Sequence, residues 1–203
     1  MQELITELIK QSYLKTPYII DAFYKIKRRD FLPADLVSQE SLNAPLPIGH
    51  GQTISQPLTV AFMFELLKPE LGQKIVDIGS GSGWTTALLA EIVGPGGTVY
   101  AVERVPELEK FGQKNVSKYN FSNVEFFCQD GAKGLPEKAP FDRIIVAAAA
   151  YEVPKALKDQ LKIGGRLVIP VADQSLRLIE KTGKNEYQER TYPGFTFVPL
   201  IED

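Results

Sequence analysis

The sequence predicts an α/β protein: a doubly wound, mostly parallel sheet of seven strands, antiparallel at its C-terminal edge, with a helical extension at the N-terminus. Three observations lead there. Apolar runs of strand length alternate with helical runs from residue 73 to about 170, the pattern of a parallel sheet covered on both faces. A glycine-rich turn joins the first of these strands to its helix. After residue 170 short strands follow one another with only turns between them, as antiparallel neighbours do.

Each element has its own signal. Leu4, Ile5, Leu8 and Ile9 fall on one helical face, and Ile19, Ile20 and Phe23 begin a second helix after Pro17. Arg28-Arg29-Asp30 closes this helical region. Residues 31–56 carry Pro33, Pro45, Pro47, Gly49 and Gly51; an irregular segment of this length is either functional or a plain surface connection. A helix is expected from Pro57, with Ala61, Phe62, Phe64, Leu66 and Leu67 as its apolar face. Strands follow at 74–78, 98–102, 124–128, 141–147 and 165–170, with helices at 84–93, 106–118 and 153–161. The last segments, 176–181, 186–192 and 195–200, read as strands joined by Gly183-Lys184-Asn185 and Pro193-Gly194. The division expected is residues 1–56 as N-terminal helices and a substrate-covering loop, packed on a core of residues 57–203 within one compact domain.

Composition narrows the function. Twenty-three basic against 25 acidic residues leave a net charge of −2, which argues against a protein built to grip nucleic acid. One cysteine, Cys128, cannot form an internal disulfide. It lies in an apolar run and is expected to be a buried small hydrophobe. One histidine, His50, and one cysteine leave few soft ligands, so no metal is expected. The N-terminus lacks a signal-peptide pattern and no run reaches the roughly 20 apolar residues that span a bilayer. The expectation is a cytoplasmic monomer, independent of membranes and nucleic acid.

The central motif is Val76-Asp77-Ile78-Gly79-Ser80-Gly81-Ser82-Gly83-Trp84. Glycines between strand and helix let a ligand approach the backbone, and free N–H groups at the helix start can receive an anion. A phosphate loop would need a Gly-Lys pair, but Gly83-Trp84-Thr85 has no lysine. A dinucleotide fingerprint would need glycine where Trp84 stands. The spacing G-x-G-x-G after Asp77 instead looks like the methyltransferase fingerprint. Glu103 ends the second strand, where an acid can accept from both ribose hydroxyls. Asp130-Gly131 follows the third strand. Either acid alone could be a solvated loop residue; in register with the turn, they suit S-adenosylmethionine, which carries no phosphate. The cofactor-site residues expected are Asp77, Gly79, Ser80, Gly81, Ser82, Gly83, Glu103, Asp130 and Gly131. Trp84 either covers part of the cofactor or packs in the core.

Four blocks then carry a resemblance: Gly49-His50-Gly51-Gln52-Thr53-Ile54-Ser55-Gln56-Pro57, Pro140-Phe141-Asp142-Arg143-Ile144-Ile145-Val146-Ala147-Ala148-Ala149, Gln160-Leu161-Lys162-Ile163-Gly164-Gly165-Arg166-Leu167-Val168-Ile169-Pro170 and Phe197-Val198-Pro199-Leu200. In order and spacing they resemble the protein-L-isoaspartate O-methyltransferases, class I methyltransferases with a Rossmann-like sheet. The resemblance implies methyl transfer from S-adenosylmethionine, leaving S-adenosylhomocysteine, to the free carboxylate of isoaspartyl residues in damaged peptides and proteins. The ester then closes to a succinimide that hydrolyses partly to aspartate. It makes Ser55 the active-site hydroxyl, with Thr53, Ile54, Gln56 and Pro57 beside the substrate.

Other assignments stay open at this level. Ser55 could cap the helix after it, although Leu58 leaves a capping box incomplete. His50 reads as a loop residue, Asp142 as a local partner or a site residue, and Gln174 as a neighbour of the substrate loop. Ser41, Asn43, Trp84 and Gln129 stand where the family more often has other residues, which leaves substrate range open. Two alternatives remain: a class I methyltransferase acting on RNA or a small molecule, and a non-catalytic S-adenosylmethionine-binding module.

Overall fold

A computed structural model describes residues 1–201; the last two residues of the 57–203 segment lie outside the described residues. Two short helices open the chain, α1 (Gln2–Lys10) and α2 (Pro17–Lys25). Their apolar faces bury Leu4, Ile5 and Leu8, and Ile19, Ala22 and Phe23. A 3₁₀ turn, Arg28–Phe31, follows. The segment read as irregular contains a small antiparallel hairpin, β1 (Leu46–Gly49) with β2 (Gln52–Ile54). Gly49, His50 and Gly51 all take positive φ at its tip.

The core follows the expected alternation: α3 (Pro57–Leu67), β3 (Lys74–Ile78), α4 (Trp84–Val93), β4 (Thr98–Glu103), α5 (Pro106–Val116), β5 (Val124–Cys128), β6 (Phe141–Val146), α6 (Lys155–Asp159), β7 (Leu161–Val171), β8 (Ser175–Gly183) and β9 (Glu186–Pro193). The seven-stranded sheet has the order β5-β4-β3-β6-β7-β8-β9. It is parallel from β5 to β7 and antiparallel through β8 and β9. Strand order reverses direction between β3 and β6, and a crevice for a ligand opens at the carboxyl ends beside such a switch.

One apolar cluster runs from Leu4 in α1 to Leu178 in β8 and joins the N-terminal helices to the sheet. A second fills the other face around Val76, Tyr100, Ile144 and Leu167. Trp84 is buried in the first of these clusters, its ring edge-on to Phe23 at 5.7 Å. No helix among the described residues is long and apolar enough to cross a membrane.

Two expectations are corrected. Residues 195–200 are not a further sheet strand. Gly194 N and Phe195 N both donate to Gln174 O, turning the chain away from β9. Phe195 then stacks on Phe62 at 5.2 Å. The segment crosses the carboxyl ends of the strands, touching them through one bridge between Ala149 and Pro199. Cys128 is exposed, not buried, because β5 is an edge strand with alternating partial exposure. The opposite edge, β9, is mostly exposed and carries Glu186, Gln188, Glu189 and Arg190.

Candidate active site

A cavity of about 400 Å³ opens at the carboxyl ends of β3, β4 and β6, within the ordinary range of ligand pockets. Gly79, Ser80, Gly81 and Ser82 form one wall, Glu103 and Gly131 another. Thr53, Ile54, Ser55 and Gln56 approach from the segment after the hairpin, and residues 196–201 close the remaining side.

The glycine turn takes its shape from positive φ at Gly79 and Gly81, conformations that cost a residue with a Cβ. Glu103 holds it: Oε2 accepts from Gly81 N at 2.9 Å and Oε1 from Val105 N at 3.0 Å. Ile48 of the hairpin packs against the turn, 3.2 Å from where a Gly81 Cβ would stand. At Gly131 a Cβ would fall 2.3 Å from Ile78 Cγ2.

Asp77, Gly83, Asp130 and Pro57, expected at the ligand, stand behind the wall. Asp77 has no exposure, and its Oδ2 accepts from Thr85 Oγ1 at 2.7 Å and Thr86 Oγ1 at 2.6 Å. It braces strand to helix. Burial pushes its carboxyl up to about 6, against the pull of Thr86 and Thr85 and with a further push from Glu103. Gly83 is the N-terminal cap of α4 and lies against α5, where a Cβ would sit 2.9 Å from Gly112 O. Asp130 turns its Oδ1 to Ala132 N at 2.8 Å and so shapes the bend that presents Gly131. Pro57 is the buried first residue of α3.

Ser55 does not cap α3. Asn43 does so from a distance, its Oδ1 accepting from Leu58 N at 3.1 Å while its carbonyl accepts from Gln56 Nε2 at 3.0 Å. Ser55 is thereby left in the cavity wall. Asp142 pairs with Lys162 at 2.8 Å and accepts from Lys74 N, at the strand starts away from the cavity. His50 is exposed at the hairpin tip. Gln174, at φ +62, holds the 194–195 turn through its carbonyl.

Two buried polar atoms in the wall, Ser80 Oγ and Trp84 Nε1, have no protein partner. Unmet buried polar atoms are costly, so a hydrogen-bonding ligand fits here. With Glu103 for ribose hydroxyls and an α4 N-terminus for a carboxylate, the donors and acceptors match S-adenosylmethionine. The Trp84 ring packs in the core, and the residue also lines the cavity.

Comparison with known proteins decides the family. The sequence profile of protein-L-isoaspartate(D-aspartate) O-methyltransferase matches residues 1–203. The chain belongs to the protein-L-isoaspartate O-methyltransferase family. The family member of Methanopyrus kandleri is 45% identical, with 98% of this chain and 90% of the relative covered. That of Aeropyrum pernix is also 45% identical, with 98% and 78% covered. A solved protein-L-isoaspartate O-methyltransferase superposes with a TM-score of 0.89 at 28% identity, over 99% of this chain and 66% of that longer one. A Plasmodium falciparum structure in complex with S-adenosyl-L-homocysteine gives a TM-score of 0.88 at 24% identity, over 99% and 98% of the two chains, a likeness of fold. As a member, this chain is an S-adenosylmethionine-dependent protein-L-isoaspartate O-methyltransferase.

Sequence reasoning missed part of this methyltransferase's cavity. Pro45, Gln52 and Thr59 belong to its wall, as do Ala147 and Ala148 beyond β6 and the crossing segment from Thr196. The Phe197-Val198-Pro199-Leu200 block was visible, but a strand-like alternation gave no sign that it leaves the sheet.

Proposed function

We propose that residues 53–56 present an isoaspartyl carboxylate to a cofactor held by residues 79–82 and Glu103. The observation that carries this reading is that both segments line one cavity. S-adenosylmethionine supplies the methyl group as a sulfonium electrophile. A carboxylate with an ordinary pKa of about 4 is already an anion at neutral pH, so the chain has no proton to remove. Its task is alignment. Ser55 orients the carboxylate by donating its hydroxyl hydrogen; Thr53 and Gln56 flank it. Glu103 accepts from the ribose hydroxyls, and the N–H groups at the start of α4 receive the cofactor's carboxylate. Asp77, Gly83, Asp130 and Pro57 act from behind by fixing the turns that carry these groups.

The test is transfer of labelled methyl to an isoaspartyl peptide, with the matched aspartyl peptide as control. Labelling of the first alone is expected. Equal labelling of both, or of neither, overturns the reading. We further propose that the enzyme works in the cytoplasm as a monomer on peptides and proteins, not on nucleic acid. The balanced charge and the solitary thiol support this, and sedimentation checks the oligomeric state.

A further inference from the structure

Arg28 stands in the 3₁₀ turn after α2 and has no solvent exposure. A buried guanidinium is costly unless its donors are met. Here the two terminal nitrogens meet backbone carbonyls, while Nε has no partner among the described residues. Nη1 donates to Leu42 O at 2.7 Å and Glu40 O at 3.3 Å; Nη2 donates to Ala44 O at 2.8 Å and Ser55 O at 3.2 Å. The guanidinium carbon lies 5.5 Å from the centre of the Trp84 ring. Burial pulls the group down to about 10, with Glu40 opposing, so it stays a cation at neutral pH.

We infer that Arg28 is a positioning residue for methyl transfer: its planar fork fastens the 40–44 backbone and the Ser55 carbonyl against the Trp84 wall of the cofactor cavity. This deepens, and rests on, the role given to Ser55 above. The fork binds carbonyls well separated in sequence, which a lysine cannot copy. Lysine presents a compact point charge with no flat face for the indole and no rigid fork for divergent acceptors. Ala44 and Ser55 meet on a single nitrogen, so the stretch before the hairpin and the stretch after it are tied at one atom. Trp84, whose ring the guanidinium overlies, borders the cavity directly.

The experiment compares full-length wild type, Arg28→Lys, Ser55→Ala and the double variant, all well below their melting temperatures and corrected for folded fraction. Trp84 is the one tryptophan of the chain, so its emission reads the Arg28 stack directly. Arg28→Lys is expected to shift that emission and to lower kcat/KM for an isoaspartyl peptide about fivefold to tenfold, no further than Ser55→Ala does. Affinity for S-adenosylhomocysteine should stay within about threefold. Because Arg28 acts through Ser55, the double variant should be scarcely worse than Ser55→Ala alone. Wild-type kinetics in Arg28→Lys, or two losses that multiply in the double variant, overturn the inference. Should Arg28→Lys not fold, Arg28→Gln, planar but neutral, carries the same comparison. Failure of the wild type to label the peptide strikes the functional reading first, in the control, and takes this inference with it.

Discussion

Glu103 answers to two demands at once in the proposed arrangement: it holds Gly81 N and Val105 N, and its remaining lone pairs are left for a ribose. Charge-assisted bonds are each worth roughly 1.5–3 kcal/mol. Glu103→Ala should therefore weaken S-adenosylhomocysteine at least about tenfold by calorimetry, with a smaller effect on kcat at saturating cofactor. Ser55→Ala should do the reverse, lowering peptide turnover about tenfold or more while cofactor affinity stays within about threefold. Asp77 makes a prediction in pH. Its folded pKa, about 6, lies above the ordinary 3.8. Between those values the folded state binds more protons than the unfolded one, so the Asp77 contribution to stability falls as pH rises. Ionising it in place costs roughly 3 kcal/mol above pH 6. Asp77→Asn should accordingly compare best with wild type at pH 7 and lose that relative advantage as the pH drops toward 4, measured by urea unfolding. A constant difference across that range removes Asp77 as the titrating group.

At the scale of elements, the cofactor turn is clamped between two helices by paired glycines. Gly83 starts α4, and a Cβ there would reach 2.9 Å from Gly112 O on α5. Gly83→Ala adds strain at φ +83 to that overlap and should cost roughly 2–4 kcal/mol by denaturant midpoint. Gly112→Ala is subtler. Alanine favours a helix by about 1 kcal/mol, yet its Cβ would stand 2.8 Å from Gly81 O. Backbone cannot yield as a side chain can, so S-adenosylhomocysteine affinity should fall about tenfold while helix content holds. Which elements were legible follows the same logic. The strand, glycine turn and helix at 74–93 could be read because propensity, periodicity and turn chemistry all agree locally. The hairpin at 46–54 could not: Pro47 and three turn residues mask two very short strands. Residues 195–200 alternate like a strand, but Gln174 O and the Phe62 ring, both remote in sequence, set their course. In the same way Glu103 stood out by type and spacing and Ser55 by the resemblance of its block, whereas Asn43 as a distant cap and Arg28 as a carbonyl clamp are tertiary facts.

For the molecule as a whole, a single apolar cluster ties α1 and α2 to the sheet, and Trp84 sits where they meet. Residues 1–56 should therefore melt together with the rest. Urea transitions followed by Trp84 fluorescence and by far-ultraviolet circular dichroism should coincide; two separated midpoints would show independent units. The fold class was open to inspection because an alternating chain admits few topologies. The closed shape of the cavity was not, since its walls come from segments far apart along the chain. The charged outer rim of β9, with Glu186, Glu189 and Arg190, has a bearing on the work this enzyme does. Its clients are isoaspartyl polypeptides, and a bare ribbon margin would invite an extended chain to zip on as an extra ply. Lined with charge, that margin is guarded against such pairing.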